Sequence, residues 1–458
     1  MRLDMLFLGA ALCVSVAAPI LPAAAAVTEQ EAQQLKSTLT PLGAERAGNK
    51  DGTIPAWTGE GVKTPPGFTT AQRRPDPFAA EKPLYSITAK NMAQHADKLT
   101  DGQKAMLQRY PAYRIDVYPT HRTAMTPQWV QDNTFKNATR AKLVDGTNYP
   151  VPSGAFGGPP FPIPKSGLEV MWNHILRYIG SQTRGTNGQT WMVTADGKKV
   201  MVMKGEQHNM TPYYDPNGSA EKFDGVYFLT RVLNDGPPIR AGEALVGRLN
   251  VDDAKTNTWV YLTGQRRVRK LPNSNGDTPL PTSAGMISFD EVSVFGSGPG
   301  YYDWKLLGKK EILVPYNTYK LLQPDSAETV MGSSFMNPDY VRWELHRVWV
   351  VEGNLKSGKR HTSPRSVYYV DEDSWLALLA DRWDVNGQLW RTLYGTPITY
   401  GEMSMTDIVT FGYYDLVSGA WYAGPFMNAP GATIGVTAST DLKDSDFTPD
   451  AMVGNQLR

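Results

Sequence analysis

Val341-Arg342-Trp343-Glu344-Leu345-His346-Arg347-Val348-Trp349-Val350-Val351 is the stretch from which the fold is read. β-Branched and aromatic residues recur there with a period of two, which is strand geometry. Val341, Trp343, Leu345, Arg347, Trp349 and Val351 fall on one face, with Arg342, Glu344 and His346 on the other. That pattern predicts one dry face and one largely wet face, as in an antiparallel sheet packed on a single side. On this reading His346 is a surface histidine satisfied by its neighbour Glu344.

The same period extends on both sides. Strand-like runs occupy 190–194, 199–204, 225–233, 244–251, 258–262, 302–306, 366–370 and 375–383. Turn signals separate several of them: Ala195-Asp196-Gly197, Asp252-Asp253-Ala254, Asp371-Glu372-Asp373-Ser374 and Asn386-Gly387. Short turns make neighbours antiparallel, so a large meander is expected. The acids at 371–373 read as a solvated hairpin tip, and their spacing is not that of a calcium loop.

Upstream the texture differs. Residues 27–165 hold 16 of the 34 prolines. Each fixes φ and removes a donor, so the segment reads as a wrapping arm with short helices. Three capping-box patterns mark helix starts, at Thr28–Glu31, Thr100–Gln103 and Ser166–Glu169. After the last, Leu168, Met171, Trp172, Ile175, Leu176 and Ile179 form one apolar stripe at helical spacing. The expected organisation is a signal peptide at 1–26, the arm at 27–165 and a β unit with its covering helix at 166–458, the last two forming one structural unit.

The leader reading rests on Arg2, the apolar run from Met5 to Ala18, and the small residues Ala23 to Ala26, where cleavage is expected. The single cysteine, Cys13, leaves with it. No later run approaches the roughly 18 apolar residues of a membrane helix. The expected location is the periplasm of a Gram-negative bacterium.

Composition excludes more than it assigns. The chain has 46 Lys plus Arg and 45 Asp plus Glu, a net charge of +1. That gives no field for nucleic acid. The six histidines show no H-E-x-x-H spacing, no G-x-S-x-G elbow occurs, and Gly296-Ser297-Gly298-Pro299-Gly300 lacks the Lys and Ser/Thr of a phosphate loop. No catalytic residue, metal or cofactor is therefore assigned.

Two constellations bear on binding. Arg266, Arg267, Arg269 and Lys270 surround Val268 on a predicted strand. They suit an anionic head group or an acidic partner, or equally a charged edge strand that blocks unwanted pairing. Trp191, Met201, Met203, Trp343, Leu345 and Trp349 suit either a core or the apolar wall of a ligand site. Arg347, on the predicted dry face, requires a carboxylate or a ligand head group as its partner.

Longer motifs resemble a known family. Leu42 to Asn49 (LGAERAGN), 51–57 (DGTIPAW), 105–122 (AMLQRYPAYRIDVYPTHR), 264–269 (GQRRVR), 302–317 and 342–353 (RWELHRVWVVEG) resemble DUF1329, a proteobacterial family of unknown function. The sheet region of that family is similar to the LolA/LolB-like lipoprotein carriers. The resemblance implies a mainly β fold, a large antiparallel, unclosed half-barrel with covering helices and a proline-rich N-terminal arm. It also implies a non-catalytic periplasmic carrier or adaptor for a hydrophobic or lipid-like molecule. Implied partners are an inner-membrane efflux-type transporter and an outer-membrane protein. Alternatives are a secreted enzyme acting on polysaccharide, and a ligand-free scaffold that docks a transporter.

Overall fold

The computed structural model describes residues 27–70, 72–428 and 436–454. The predicted leader, with Cys13, lies outside them. Eighteen strands are present among the described residues. In chain order they are β1 (Tyr85–Ile87), β2 (Ile115–Val117), β3 (Lys142–Asp145), β4 (Pro150–Ser153), β5 (Gln182–Val193), β6 (Lys199–Met210), β7 (Val226–Gly236), β8 (Ala244–Asn250) and β9 (Asn257–Leu262). They continue as β10 (Arg267–Lys270), β11 (Tyr302–Pro315), β12 (Trp343–Leu355), β13 (Arg365–Asp371), β14 (Ala377–Trp383), β15 (Leu389–Tyr400), β16 (Met405–Asp415), β17 (Trp421–Phe426) and β18 (Val436–Ala438).

The protein is mainly β, and its principal sheet is not closed into a barrel. From β12 the order runs β13, β14, β15, β16, β17, then back to β5 and on through β6, β7, β8, β9 and β10. Strand β11 lies along the other side of β12, and β18 shares β5 with β17. All these pairings are antiparallel; the exception is one parallel bridge between Val117 of β2 and Trp343 of β12. Within β5–β10 and within β11–β17 chain neighbours are sheet neighbours, and the β17–β5 seam joins these two halves.

Among the described residues six α-helices accompany the sheet: α1 (Glu29–Ala32), α2 (Asp101–Arg109), α3 (Gln128–Arg140), α4 (Gly167–Ile175), α5 (Ala327–Val330) and α6 (Pro449–Gly454). All three predicted capping boxes form, at the starts of α1, α2 and α4. Helix α4 is shorter than the apolar stripe, ending at Ile175, with Leu176 as its C-cap at φ −101°. It is also buried nearly all round. Val170 and Met171 join the main core of the sheet, whereas Trp172 packs with Tyr149, Phe156 and Tyr213 in a second core. The helix therefore lies between sheet and arm rather than on an open surface.

The expected wet face of β12 requires correction. Glu344 is 0% exposed, His346 1% and Arg342 6%. The arm covers them: the Tyr118 amide donates to the Trp343 carbonyl, the Thr120 hydroxyl to that of Leu345, and the His121 amide to the Glu344 carboxylate at 2.8 Å. A proline-rich segment makes few bonds to itself, so its donors are free to satisfy a partner strand. The acids at 371–373 are likewise buried, at 0%, 1% and 5% exposure, and not a solvated tip.

Candidate functional site

A cavity of about 270 Å³ opens between the sheet and the segment that follows α4. Its sheet wall is read off by the strand period: Met203, Gly205, Gln207 and Asn209 of β6, Thr230 and Val232 of β7, and Leu245, Gly247 and Leu249 of β8 all line it. Alternate residues share one face, so one register sets the whole wall. Gly205 lies at a register shift against β7, where an added Cβ would stand 1.9 Å from the Leu233 carbonyl oxygen. Only glycine permits that approach, and the bulge bends the wall.

The facing wall comes from irregular chain. Ile175 ends α4 and Leu176 and Ile179 follow it, while Leu280, Ile287, Phe289 and Phe295 come from the segment before β11. The end of the apolar stripe thus becomes lining instead of helix. His174 anchors this wall: its Nδ1 accepts from the Ala377 amide at 3.0 Å and its Nε2 lies 3.0 Å from the Phe295 carbonyl. Nδ1 also lies 3.0 Å from the Trp375 carbonyl, so three backbone groups fix the ring. Burial pushes the imidazole down to about 3, and the Arg177 charge adds to it.

Two groups of polar side chains stand out in the lining. On β6 and β7, Gln207 donates to Asn209 at 3.0 Å, and Thr230 donates to Asn209 at 2.8 Å. At the β16 side, Arg177 and Asp407 line the cavity with 4.0 Å between nitrogen and oxygen. Burial lowers the Arg177 guanidinium and raises the Asp407 carboxyl. Tyr227 lines the cavity beside them, its phenol also pushed up by burial.

Of the residues singled out by sequence, Met203 lines this cavity. Trp191, Trp343 and Leu345 belong to the main core, with Met201 packed against it. Trp349 is stacked near Trp375, with ring centroids 6.3 Å apart and planes 10° from parallel, and Lys309 sits over its ring. Arg347 finds its partners inside the protein, the Ala47 carbonyl at 3.0 Å and Glu372 at 3.3 Å. Arg266, Arg267 and Arg269 are exposed at the turn into β10 and along it, the strand at one end of the sheet.

A buried ionic cluster joins the arm to the sheet. Arg122 donates to both oxygens of Asp373 at 2.7 and 2.9 Å and to the Glu45 carbonyl. Lys309 reaches Glu372 at 2.7 Å and Glu45 at 3.1 Å. Burial would lower the Arg122 pKa, but hydrogen bonding and the charges of Asp373 and Glu372 raise it instead. Within the cluster His346 stacks on Tyr316 at 3.8 Å and contacts Glu344 at 3.1 Å. Burial opposes the imidazolium, yet Glu344 and Asp371 hold the His346 pKa above its usual value. His346, Asp371 and Asp373 bring potential ligand atoms within 4.8 Å of one another. Asp373 is engaged by Arg122, however, and Asp371 Oδ2 accepts from Ser374 at 2.5 Å and Tyr316 at 3.2 Å. Asp373 is thus held by Arg122, whereas Asp371 Oδ1 is buried without a hydrogen-bond partner, 3.7 Å from His346 Nδ1. Sequence reading missed this cluster, whose signal was charged residues clustered inside otherwise apolar motifs.

The family model described as a protein of unknown function (DUF1329) matches residues 86–453. An uncharacterized protein of Pseudomonas aeruginosa is 39% identical over 433 residues, covering 93% of this chain and 94% of that protein. Among solved structures, a putative outer membrane lipoprotein-sorting protein domain from Vibrio parahaemolyticus is similar over 63% of this chain and 98% of its own, at 15% identity and a TM-score of 0.41. A DUF1329 family protein from Desulfovibrio piger covers 62% and 97%, also at 15% identity, with a TM-score of 0.39. Among the described residues, no helix is long and apolar enough to cross a membrane.

Proposed function

The chain belongs to the DUF1329 family, and we propose that it is a non-catalytic periplasmic carrier or adaptor that shields a hydrophobic, lipid-like ligand in the cavity between β5–β9 and the α4 segment. The observation that carries this reading is the largely apolar lining set on the sheet, with Gln207, Asn209 and Thr230 at one place in it and Arg177 and Asp407 at another. Such a site binds by removing apolar area from water, at about 25 cal/mol per Å², and uses its polar groups for orientation. At about 270 Å³ the cavity falls just below the roughly 300–1,000 Å³ usual for small-molecule pockets. That size favours a single chain or ring system over a lipoprotein anchor with several acyl chains.

The leader-like first 26 residues support export, and an envelope transport or efflux system is the setting in which such a carrier would serve. The exposed Arg266, Arg267 and Arg269, none of which lines the cavity, offer a surface to an acidic partner. The test is a titration with N-phenyl-1-naphthylamine, whose emission rises on burial. Saturable binding that Val232→Trp abolishes supports the carrier; an unchanged titration in that variant contradicts it.

A further inference from the structure

Arg177 is an unusual residue to find in an apolar cavity wall. Its side chain is 10% exposed, and that of Asp407 is 19%. One hydrogen bond is formed, from Nη1 to the His174 carbonyl at 2.8 Å. Nε is buried with no partner. Asp407 stands 4.0 Å from Nη2, beyond hydrogen-bond range, and takes instead the amide of Ile408 at 2.8 Å. A buried guanidinium stays charged, and leaving its donors unmade is costly. An unpartnered Nε is shared with other arginines, Arg382 among them, but Arg122 and Arg382 each hold a carboxylate at hydrogen-bond distance, Asp373 at 2.7 Å and Asp290 at 3.0 Å, which Arg177 does not. Arg177 therefore differs by position, since it faces the ligand space.

From this we infer that Arg177 receives the head of the ligand, and that the ligand is a single-chain amphiphile ending in a carboxylate. This rests on the carrier reading of the same cavity. A carboxylate oxygen can take a charge-assisted hydrogen bond from Nη2, because Nη1 is held by the His174 carbonyl and Nε is sealed by protein. The tail then runs along the apolar face set by Val232, Leu245 and Leu249. A cationic head is disfavoured by Arg177 itself. A dianionic phosphate would place more negative charge beside Asp407 than a carboxylate does. Asp407 weakens the hold on any anion, so the site as built binds reversibly, which suits delivery more than storage.

Calorimetric titration of the full chain at pH 8 with decanoate, decanol, methyl decanoate and decyl phosphate tests this. Decanoate is expected to bind about tenfold or more tighter than the alcohol and the ester, the scale of one charged hydrogen-bond pair. Arg177→Gln should bring decanoate down to the level of decanol without changing decanol. Asp407→Asn, which keeps the shape of the site, should tighten decanoate and leave decanol unmoved. Equal binding of the acid, alcohol and ester overturns the head-group inference while leaving the carrier intact. Tighter binding of decyl phosphate than decanoate overturns the carboxylate assignment. Failure of all four to bind overturns the carrier and this inference together.

Discussion

Arg122 and Asp373, 251 positions apart in the chain, meet in a two-point ion pair that is almost wholly buried, with side-chain exposures of 2% and 5%. This contact fastens the N-terminal arm to the β13–β14 turn. Removing one member of a buried pair strands the other charge, which costs about 3–5 kcal/mol. Arg122→Met is expected to lose stability on that scale in urea denaturation, and Arg122→Met with Asp373→Leu to recover part of the loss. A loss below about 1 kcal/mol in the single variant would show that the arm is held by other contacts.

His174 gives the fold an acid-sensitive point. In the unfolded chain histidine takes a proton near pH 6.5, while burial holds the folded imidazole down to about 3. Between those values the unfolded state binds more protons, so this contribution is intact above pH 6.5 and falls by about 1.4 kcal/mol per unit as pH drops. Asp381 and Asp371, each raised by burial to about 6, act in the opposite sense: they favour the folded state as pH falls from 6 toward 3.8. The net profile of the wild type mixes these effects, and the difference between variants isolates one. The stability advantage of wild type over His174→Gln should shrink by about 1.4 kcal/mol per unit below pH 6.5. An advantage that is constant from pH 7 to 4 would show that His174 is protonated in the fold.

Cavity residues and core residues should separate in their effects. Met203→Trp fills the ligand space from β6 and is expected to reduce capacity for an apolar probe by about tenfold with modest loss of stability. Trp349→Phe alters a ring packed beside Trp375 and Lys309, away from the cavity, and is expected to leave probe affinity within about twofold while lowering the unfolding midpoint. Equilibrium probe titration and thermal unfolding on the same samples read both quantities. The reverse pattern would move the binding face to β12.

The sequence made the period-two strands, the three capping boxes and the arm legible, because those depend on local pattern. Strands β15, β16 and β17 were missed. From Thr392 to Tyr400 every residue of β15 is buried, so the strand has no polar face to alternate, and Pro397 reads as a breaker. The wet face assigned to Arg342, Glu344 and His346 failed for a related reason: polarity marks exposure only when no other segment brings partners, and here the arm brings His121 and Glu81. The cavity itself was out of reach, since the β17–β5 seam that joins its walls pairs Trp421 with Val193 across the chain. Arg177 carried no sequence signal, because its significance is a missing partner.

The most direct measurement is native mass spectrometry of the protein purified from its own host, before and after organic extraction. A carrier is expected to release a bound species of a few hundred daltons in one-to-one ratio, absent from Val232→Trp prepared in parallel. Protein that leaves its host empty, and that takes up no apolar molecule when offered one, would contradict the carrier function.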